Sequence, residues 1–211
     1  MKNIGFIGVG YMGYGIAKNI LKHKNKLFVI ANKNRKPIEK IVGDGAEEAF
    51  DKAARLLNLG FPGGPEVDKY SSLSNDRFDF PRALLKGSHD FSFSGMKTAF
   101  LNLSNKHQPF DEDKISKLCN TFQEAIVDVI TTKTIKAAEE YKCKGIVVTG
   151  GVAANSHLRE QIRLKSPFPV FIPEKKLCTD NGAMIASFVV ENYKKNSEKF
   201  NNIEVKSVLN Y

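Results

Sequence analysis

The sequence predicts an α/β chain in two parts: a short β-α-β unit over residues 1–45 and a larger α/β body over residues 46–194. Two observations predict it. Short apolar runs alternate with stretches whose apolar residues recur every three or four positions, and two of those runs end in a glycine turn that leads into a helix. The Lys- and Asn-rich stretch 195–211 is expected to be a weakly ordered tail.

In the first part, Ile4-Gly5-Phe6-Ile7 reads as a short buried strand. Residues 12–24 carry Ile16, Ile20 and Leu21 at helical spacing, Leu27 to Ala31 is a second strand, and Pro37 to Val42 opens another helix. In the second part an amphipathic helix runs from Ala46 to Leu59, with Phe50, Ala54 and Leu57 on one face. Gly60-Phe61-Pro62-Gly63-Gly64-Pro65 ends it. Residues 66–90 read as loop-rich, and Phe91-Ser92-Phe93 alternates like a strand that enters a helix at Gly95. The longest helix is predicted over 113–141, where Ile115, Leu118, Phe122, Ile126 and Val129 recur every three or four residues. A strand from Gly145 to Thr149 then meets Gly150-Gly151. A helix from Ser156, a strand from Pro169 to Ile172 and a helix from Asp180 to Tyr193 complete the body.

Composition narrows the function. The 211 residues are 42% hydrophobic and 26% charged, ordinary values for a globular chain, and no run of 18 apolar residues is present, so no membrane partner is expected. No signal-peptide pattern opens the chain. Cys119, Cys143 and Cys178 are scattered, without a C-x-x-C pair, which points to a reducing, cytoplasmic setting. The net charge of +9 is unevenly placed. Residues 1–44 hold nine Lys/Arg against Glu39 and Asp44, which leaves only +2 for the rest, so charge alone does not mark the body as nucleic-acid-binding.

Gly8-Val9-Gly10-Tyr11-Met12-Gly13 is a G-x-G-x-x-G turn between a strand and a helix. In a Rossmann unit Gly8 permits the tight turn, Gly10 lets the backbone approach a pyrophosphate, and Gly13 allows close helix–strand packing. The second strand is followed by Asn32-Lys33-Asn34-Arg35 in place of an acidic residue. Arg35 suits a 2′-phosphate, so NADP is favoured over NAD. The segment resembles the start of the 3-hydroxyisobutyrate dehydrogenase family. Equally, the glycines build a turn in a fragment too short to supply the other half-site.

Four patterns in order carry a second resemblance: Glu48-Ala49-Phe50-Asp51-Lys52 with Pro62-Gly63-Gly64-Pro65; Phe91-Ser92-Phe93-Ser94-Gly95-Met96-Lys97-Thr98; Thr149-Gly150-Gly151-Val152-Ala153-Ala154-Asn155-Ser156; and Cys178-Thr179-Asp180-Asn181-Gly182-Ala183-Met184-Ile185. Together they resemble the carboxyl half of the tRNA threonylcarbamoyladenosine transferase family, which implies an actin-like ATPase (ribonuclease H-like) lobe after the incomplete Rossmann-like fragment. A join between the two is expected near residues 41–46.

That resemblance implies transfer of threonylcarbamoyl from threonylcarbamoyl-AMP to N6 of the adenine beside the anticodon of tRNA. It also implies an iron or zinc ion, a paralogous actin-like partner and a P-loop ATPase. It places Asp51, Gly64, Asp68 and Asn155 at the substrate and makes Asp180 a metal ligand. From the residues alone, Gly150 and Gly151 present backbone N–H groups beside a positive helix end, suited to a phosphate or carboxylate. Asn155 reads as a substrate contact and as a helix N-cap, Asp180 as a ligand and as part of a cap, and Gly64 as a site residue and as plain turn chemistry. Asp51 and Asp68 are also open to being solvated helix charges. Ser94 and Lys97 make no nucleophile, because nothing orients a base beside them, and no catalytic residue is assigned. His23, His89, His107 and His157 include no H-x-x-x-H pair. Transferase activity is therefore expected to be impaired. The alternatives are a non-catalytic remnant that binds the paralogue and, last, an NADP-dependent oxidoreductase.

Overall fold

The computed structural model describes residues 3–7, 26–30, 45–84, 91–179 and 181–186. Strands β1 (Asn3–Ile7) and β2 (Lys26–Ile30) are followed by helices α1 (Ala46–Leu56), α2 (Gly63–Ser71), α3 (Ser94–Lys106) and α4 (Glu112–Glu140). Then come β3 (Ile146–Val148), a 3-10 turn over Gly151–Ala154, α5 (Ser156–Lys165), β4 (Val170–Phe171) and a 3-10 turn over Lys175–Leu177. Residues 182–186 are helical. The described chain is mostly helical around one small parallel sheet.

Strand order is β2-β1-β3-β4. β1 pairs in parallel with β2, Asn3 opposite Lys26, and on its other side with β3, Gly5 opposite Ile146. Strands from the 1–45 segment and from the body thus share one sheet, with β1 beside the apolar strand Ile146-Val147-Val148.

Sequence explains where the helices stop. α1 buries Ala49, Phe50, Ala53 and Ala54, and carries Glu47 and Glu48 in its first turn, where negative charge meets the positive helix end. Its C-terminus closes on Asn58 at φ 56, with Leu59 N–H donating to the Ala54 carbonyl and Asn58 N–H to the Arg55 carbonyl. This is a left-handed cap on one of the few side chains that tolerate it. α4, 29 residues and so about 43 Å long, starts on Asp111, whose carboxylate accepts the Lys114 N–H at 2.8 Å. That bond holds the Asp111 carboxyl below its ordinary value.

The core gathers on α4. Phe122 is fully buried and meets Phe100 of α3 at 4.5 Å between ring centroids, Phe80 at 5.9 Å and Phe50 of α1 at 6.1 Å. Such tilted and edge-on contacts suit the ring quadrupoles. They tie three helices to the segment around Phe80, which has no regular structure of its own.

Two expectations need correction. Residues 66–90 are not all loop, because α2 runs to Ser71; Pro65 falls in its first turn, where a missing N–H costs nothing. Phe91 and Phe93 form no strand: both rings are buried and stacked on each other at 5.9 Å, and the helix begins at Ser94. The expected cap within Thr179-Asp180-Asn181 is formed by Asn181, whose side-chain Oδ1 accepts the Met184 N–H at 3.1 Å. The predicted helices at 12–24 and 37–42, the residues Gly8, Gly10, Gly13, Arg35 and Asp180, and the 195–211 tail lie outside the described residues.

Candidate functional site

Between α1, α2, α4 and the start of α5 lies a cavity of about 1220 Å³. Asp51, Gly64, Asp68, Gly150, Gly151 and Asn155 all line it. They come from segments separated by as many as a hundred residues of chain, and the packing of α2 and α5 against α4 brings them together. Arg35 and the first glycine cluster lie outside the described residues, as does Asp180.

One wall is α1 with α2. Asp51 Oδ1 accepts the Gly63 N–H at 2.7 Å, so a side chain of one helix caps the first turn of the next. Gly63 sits so close that an added Cβ would fall 2.6 Å from Asp51 Cα and 2.7 Å from the Phe50 carbonyl oxygen. Gly64 is the opposite case, since its Cβ position meets nothing within 4 Å.

The facing wall follows β3. Gly150 has φ 90 and ψ 175, a conformation that L side chains rarely adopt, and the chain then makes a 3-10 turn before α5. The glycine pair is therefore one short turn removed from the α5 N-terminus, the strand-turn-helix order expected from the sequence. That helix end is already occupied: Asp68 of α2 accepts the Ser156 N–H at 3.1 Å and the Ser156 hydroxyl at 2.7 Å. Lys175 Nζ donates to the same hydroxyl. The anion-binding end expected here is filled by the protein's own carboxylate. Gly151 faces Glu47, whose carboxylate occupies the space that a Cβ would take.

Asn155 is the α5 N-cap, its Oδ1 accepting the Leu158 N–H at 2.8 Å. Its Nδ2 donates to Gln123 Oε1 at 2.7 Å. Both readings of Asn155 thus remain compatible with the geometry, because one side chain caps the helix and lines the cavity. Nearby, Glu124 of α4 accepts from Arg77 at 3.0 Å and pairs with His157 Nε2 at 2.5 Å. Lys97 pairs with Glu48 at 3.1 Å and is almost fully buried, which ties it to α1 rather than to Ser94.

Sequence reasoning missed Gln123, Ser71, Ser156, Glu124 and Glu47. Gln123 stands about 100° round α4 from the core-facing Phe122, a flank where a glutamine is usually solvated, so no sequence signal distinguished it. All three cysteines are buried, and burial pushes the Cys119 thiol up to about 12; Cys178, at the cavity, accepts from Arg159 at 3.1 Å. The described residues do not by themselves make an iron or zinc site. Among the described residues no group of three or more His, Cys, Asp or Glu stands together, and His157 is engaged by Glu124.

The sequence model of the family described as tRNA N6-adenosine threonylcarbamoyltransferase matches residues 22–187. The chain belongs to that family. A relative of that name from Dehalococcoides mccartyi is 51% identical over 144 residues, 68% of this chain and 43% of the relative. Another from Thermosipho africanus is 44% identical over 180 residues, 82% of this chain and 54% of the relative. The chain spans about half the length of the relatives it matches. Among solved structures, HypF from T. kodakarensis superposes on 71% of the chain with a TM-score of 0.50 at 18% identity, a likeness of fold. The family match begins at residue 22, inside the segment 1–45, and none of these comparisons supports the dehydrogenase resemblance or NADP.

Proposed function

We propose that the cavity binds the adenylate of threonylcarbamoyl-AMP, and that the chain serves the transfer of threonylcarbamoyl to N6 of the adenine beside the anticodon of tRNA. The observation that carries this reading is the convergence of Asp51, Gly64, Asp68, Gly150, Gly151 and Asn155 on one hollow, in a chain of this family.

Each residue has a chemical task. Gly64, with open space where a side chain would stand, lets a ligand approach the α2 backbone. Asp51 Oδ1 is spent on Gly63 N–H, which leaves Oδ2 to accept from sugar hydroxyls. Asp68 holds the start of α5 against α2. The Gly150-Gly151 turn offers backbone N–H groups to a phosphate once Glu47 swings aside, a small movement for an exposed side chain. Asn155 contributes its second Nδ2 hydrogen to an acceptor on the ligand.

In this reading the polypeptide's own donor set is too poor to hold the family's metal, with Asp180 as a lone expected ligand, and transfer by this chain alone is impaired. tRNA, a paralogous actin-like protein and a P-loop ATPase are its proposed partners, and the cytoplasm its proposed location. Among the described residues no helix is long and apolar enough to cross a membrane. The test is a transfer assay with threonylcarbamoyl-AMP, tRNA and the purified partners, beside a full-length relative as positive control. Slow but measurable product supports the reading. No product, together with no capture of the paralogue, removes it.

A second reading concerns residues 1–45 as a dinucleotide-binding fragment, with Gly8, Gly10 and Gly13 at a pyrophosphate and Arg35 at a 2′-phosphate. The parallel β1–β2 pair, joined by residues 8–25, suits a β-α-β unit. NADPH fluorescence titrated against the chain decides it, and an unchanged emission ends it.

A further inference from the structure

We infer that Gln123 is a positioning residue that, together with the Leu158 N–H, holds the Asn155 amide in one orientation, so that the cavity presents a hydrogen-bond donor, not an acceptor, at that point. The inference rests on the adenylate reading for the identity of the ligand, but not for the existence of the device.

The device is a chain of hydrogen bonds with a fixed direction. At one end the Leu158 N–H, a donor only, gives to Asn155 Oδ1 at 2.8 Å. The oxygen of the amide is thereby committed to the helix, and Nδ2 must lie on the other side, where it donates to Gln123 Oε1 at 2.7 Å. That acceptor role turns Gln123 Nε2 toward Ser71, whose hydroxyl it reaches at 2.6 Å. The Ser71 hydroxyl keeps one hydrogen and gives it to the Asp68 carbonyl at 2.9 Å, an acceptor only. Both ends are backbone groups of invariable polarity. Flipping either amide would set oxygen against oxygen or N–H against N–H, so neither flips.

Burial makes the chain effective. Gln123 is 4% exposed, Ser71 6% and Asn155 7%. Water does not compete well for such groups, and an unpaired member would be costly. The chain also crosses the cavity floor from α5 to α2 through α4, so it sets the spacing of the two walls as well as the amide's orientation. Asn155 has one Nδ2 hydrogen left after Gln123 is served, and this is what it offers a ligand. The preferred ligand group beside Asn155 is therefore an acceptor, such as a ribose oxygen, a ring nitrogen or an acyl carbonyl. A protonated amine there would be rejected.

The experiment uses the full chain, two variants and ADP as the nucleotide probe. Gln123→Met preserves volume and removes both polar ends. Gln123→Glu keeps an acceptor for Asn155 Nδ2 and loses only the donor to Ser71. Nitrogen-15 spectra of the free protein should show the Asn155 side-chain NH2 pair exchanging slowly with water. That pair should move and exchange fast in Gln123→Met, and stay near its original position in Gln123→Glu. By calorimetry ADP should weaken by about tenfold in Gln123→Met and by about threefold or less in Gln123→Glu, the size expected when a buried hydrogen bond is lost or kept. An Asn155 pair that exchanges freely in the unmodified chain, or is indifferent to Gln123→Met, overturns the inference. Equal loss of ADP affinity in both variants also overturns it, because the role would then be one of general packing. If the unmodified chain binds neither ADP nor AMP, the adenylate reading falls, and the spectra alone decide for or against the device.

Discussion

Two pairs of adjacent glycines belong to the walls of the cavity, Gly63-Gly64 on the α2 side, where Gly64 lines it, and Gly150-Gly151 on the β3 side, where both do. Each pair divides its work the same way by different physics. Gly63 is glycine because the α1 backbone passes too close for a Cβ, and Gly150 because its φ of 90 excludes side chains. Their partners have room. Gly64 opens onto empty space, and Gly151 meets only the movable end of Glu47. The first glycine of each pair builds the wall and the second leaves it accessible, so substitutions at neighbouring positions should separate stability from binding.

The largest effect belongs to Gly63→Ala. Its Cβ would press on Asp51 Cα, the Phe50 carbonyl and Ala54 Cβ, none of which moves without shifting a helix. The expected loss is about 3 kcal/mol or more, with the Asp51 cap broken as well, read as a fall in the denaturant midpoint. A loss under about 1 kcal/mol would break the contrast with Gly64. Next comes Gly150→Ala, where the strained backbone costs on the order of 1–3 kcal/mol. Thermal unfolding measures it, and an unchanged Tm would mean that the turn relaxes elsewhere.

Gly64→Ala should behave differently. Space is available, and the one local penalty is the reluctance of a residue before proline to be helical, on the order of 1 kcal/mol. AMP affinity should fall out of proportion, by about tenfold or more, if the ligand lies against this backbone. Affinity that merely tracks stability would assign Gly64 to the turn alone. The smallest effect is at Glu47. Its carboxylate sits at Gly151 where a phosphate is proposed, so Glu47→Gln should tighten AMP by a factor of about three, through loss of a like charge on an exposed side chain. Weaker binding would show that Glu47 helps the ligand instead of opposing it.

How much of this was legible in the sequence depends on which physics decided each element. Local period and capping decided α1, α4 and α5, and those three were read to within a few residues, because Phe50, Phe122 and Asn155 each announce a face or an end. α2 was missed since Gly-Gly-Pro is the vocabulary of a loop, and only tertiary capping by Asp51 lets it open a helix. Phe91 and Phe93 alternate like a strand, yet both rings turn to the core and no partner strand adjoins them among the described residues.

In the cavity, resemblance named residues that spacing alone could not bring together. What it left out was their mutual engagement: Asp68 lies on the α5 N-terminus, Asp51 on Gly63, and Gln123 between Asn155 and Ser71. Such pairings join positions up to 88 residues apart. No local pattern encodes them. They follow from how helices dock.

The most direct test of the central claim is a nitrogen-15 titration of the full chain with AMP. The account predicts that the backbone amides of Gly64, Gly150, Gly151 and Asn155 shift together with one saturating affinity. AMP in excess that leaves those four unmoved, or that moves only the amides of residues 8–13, would contradict it.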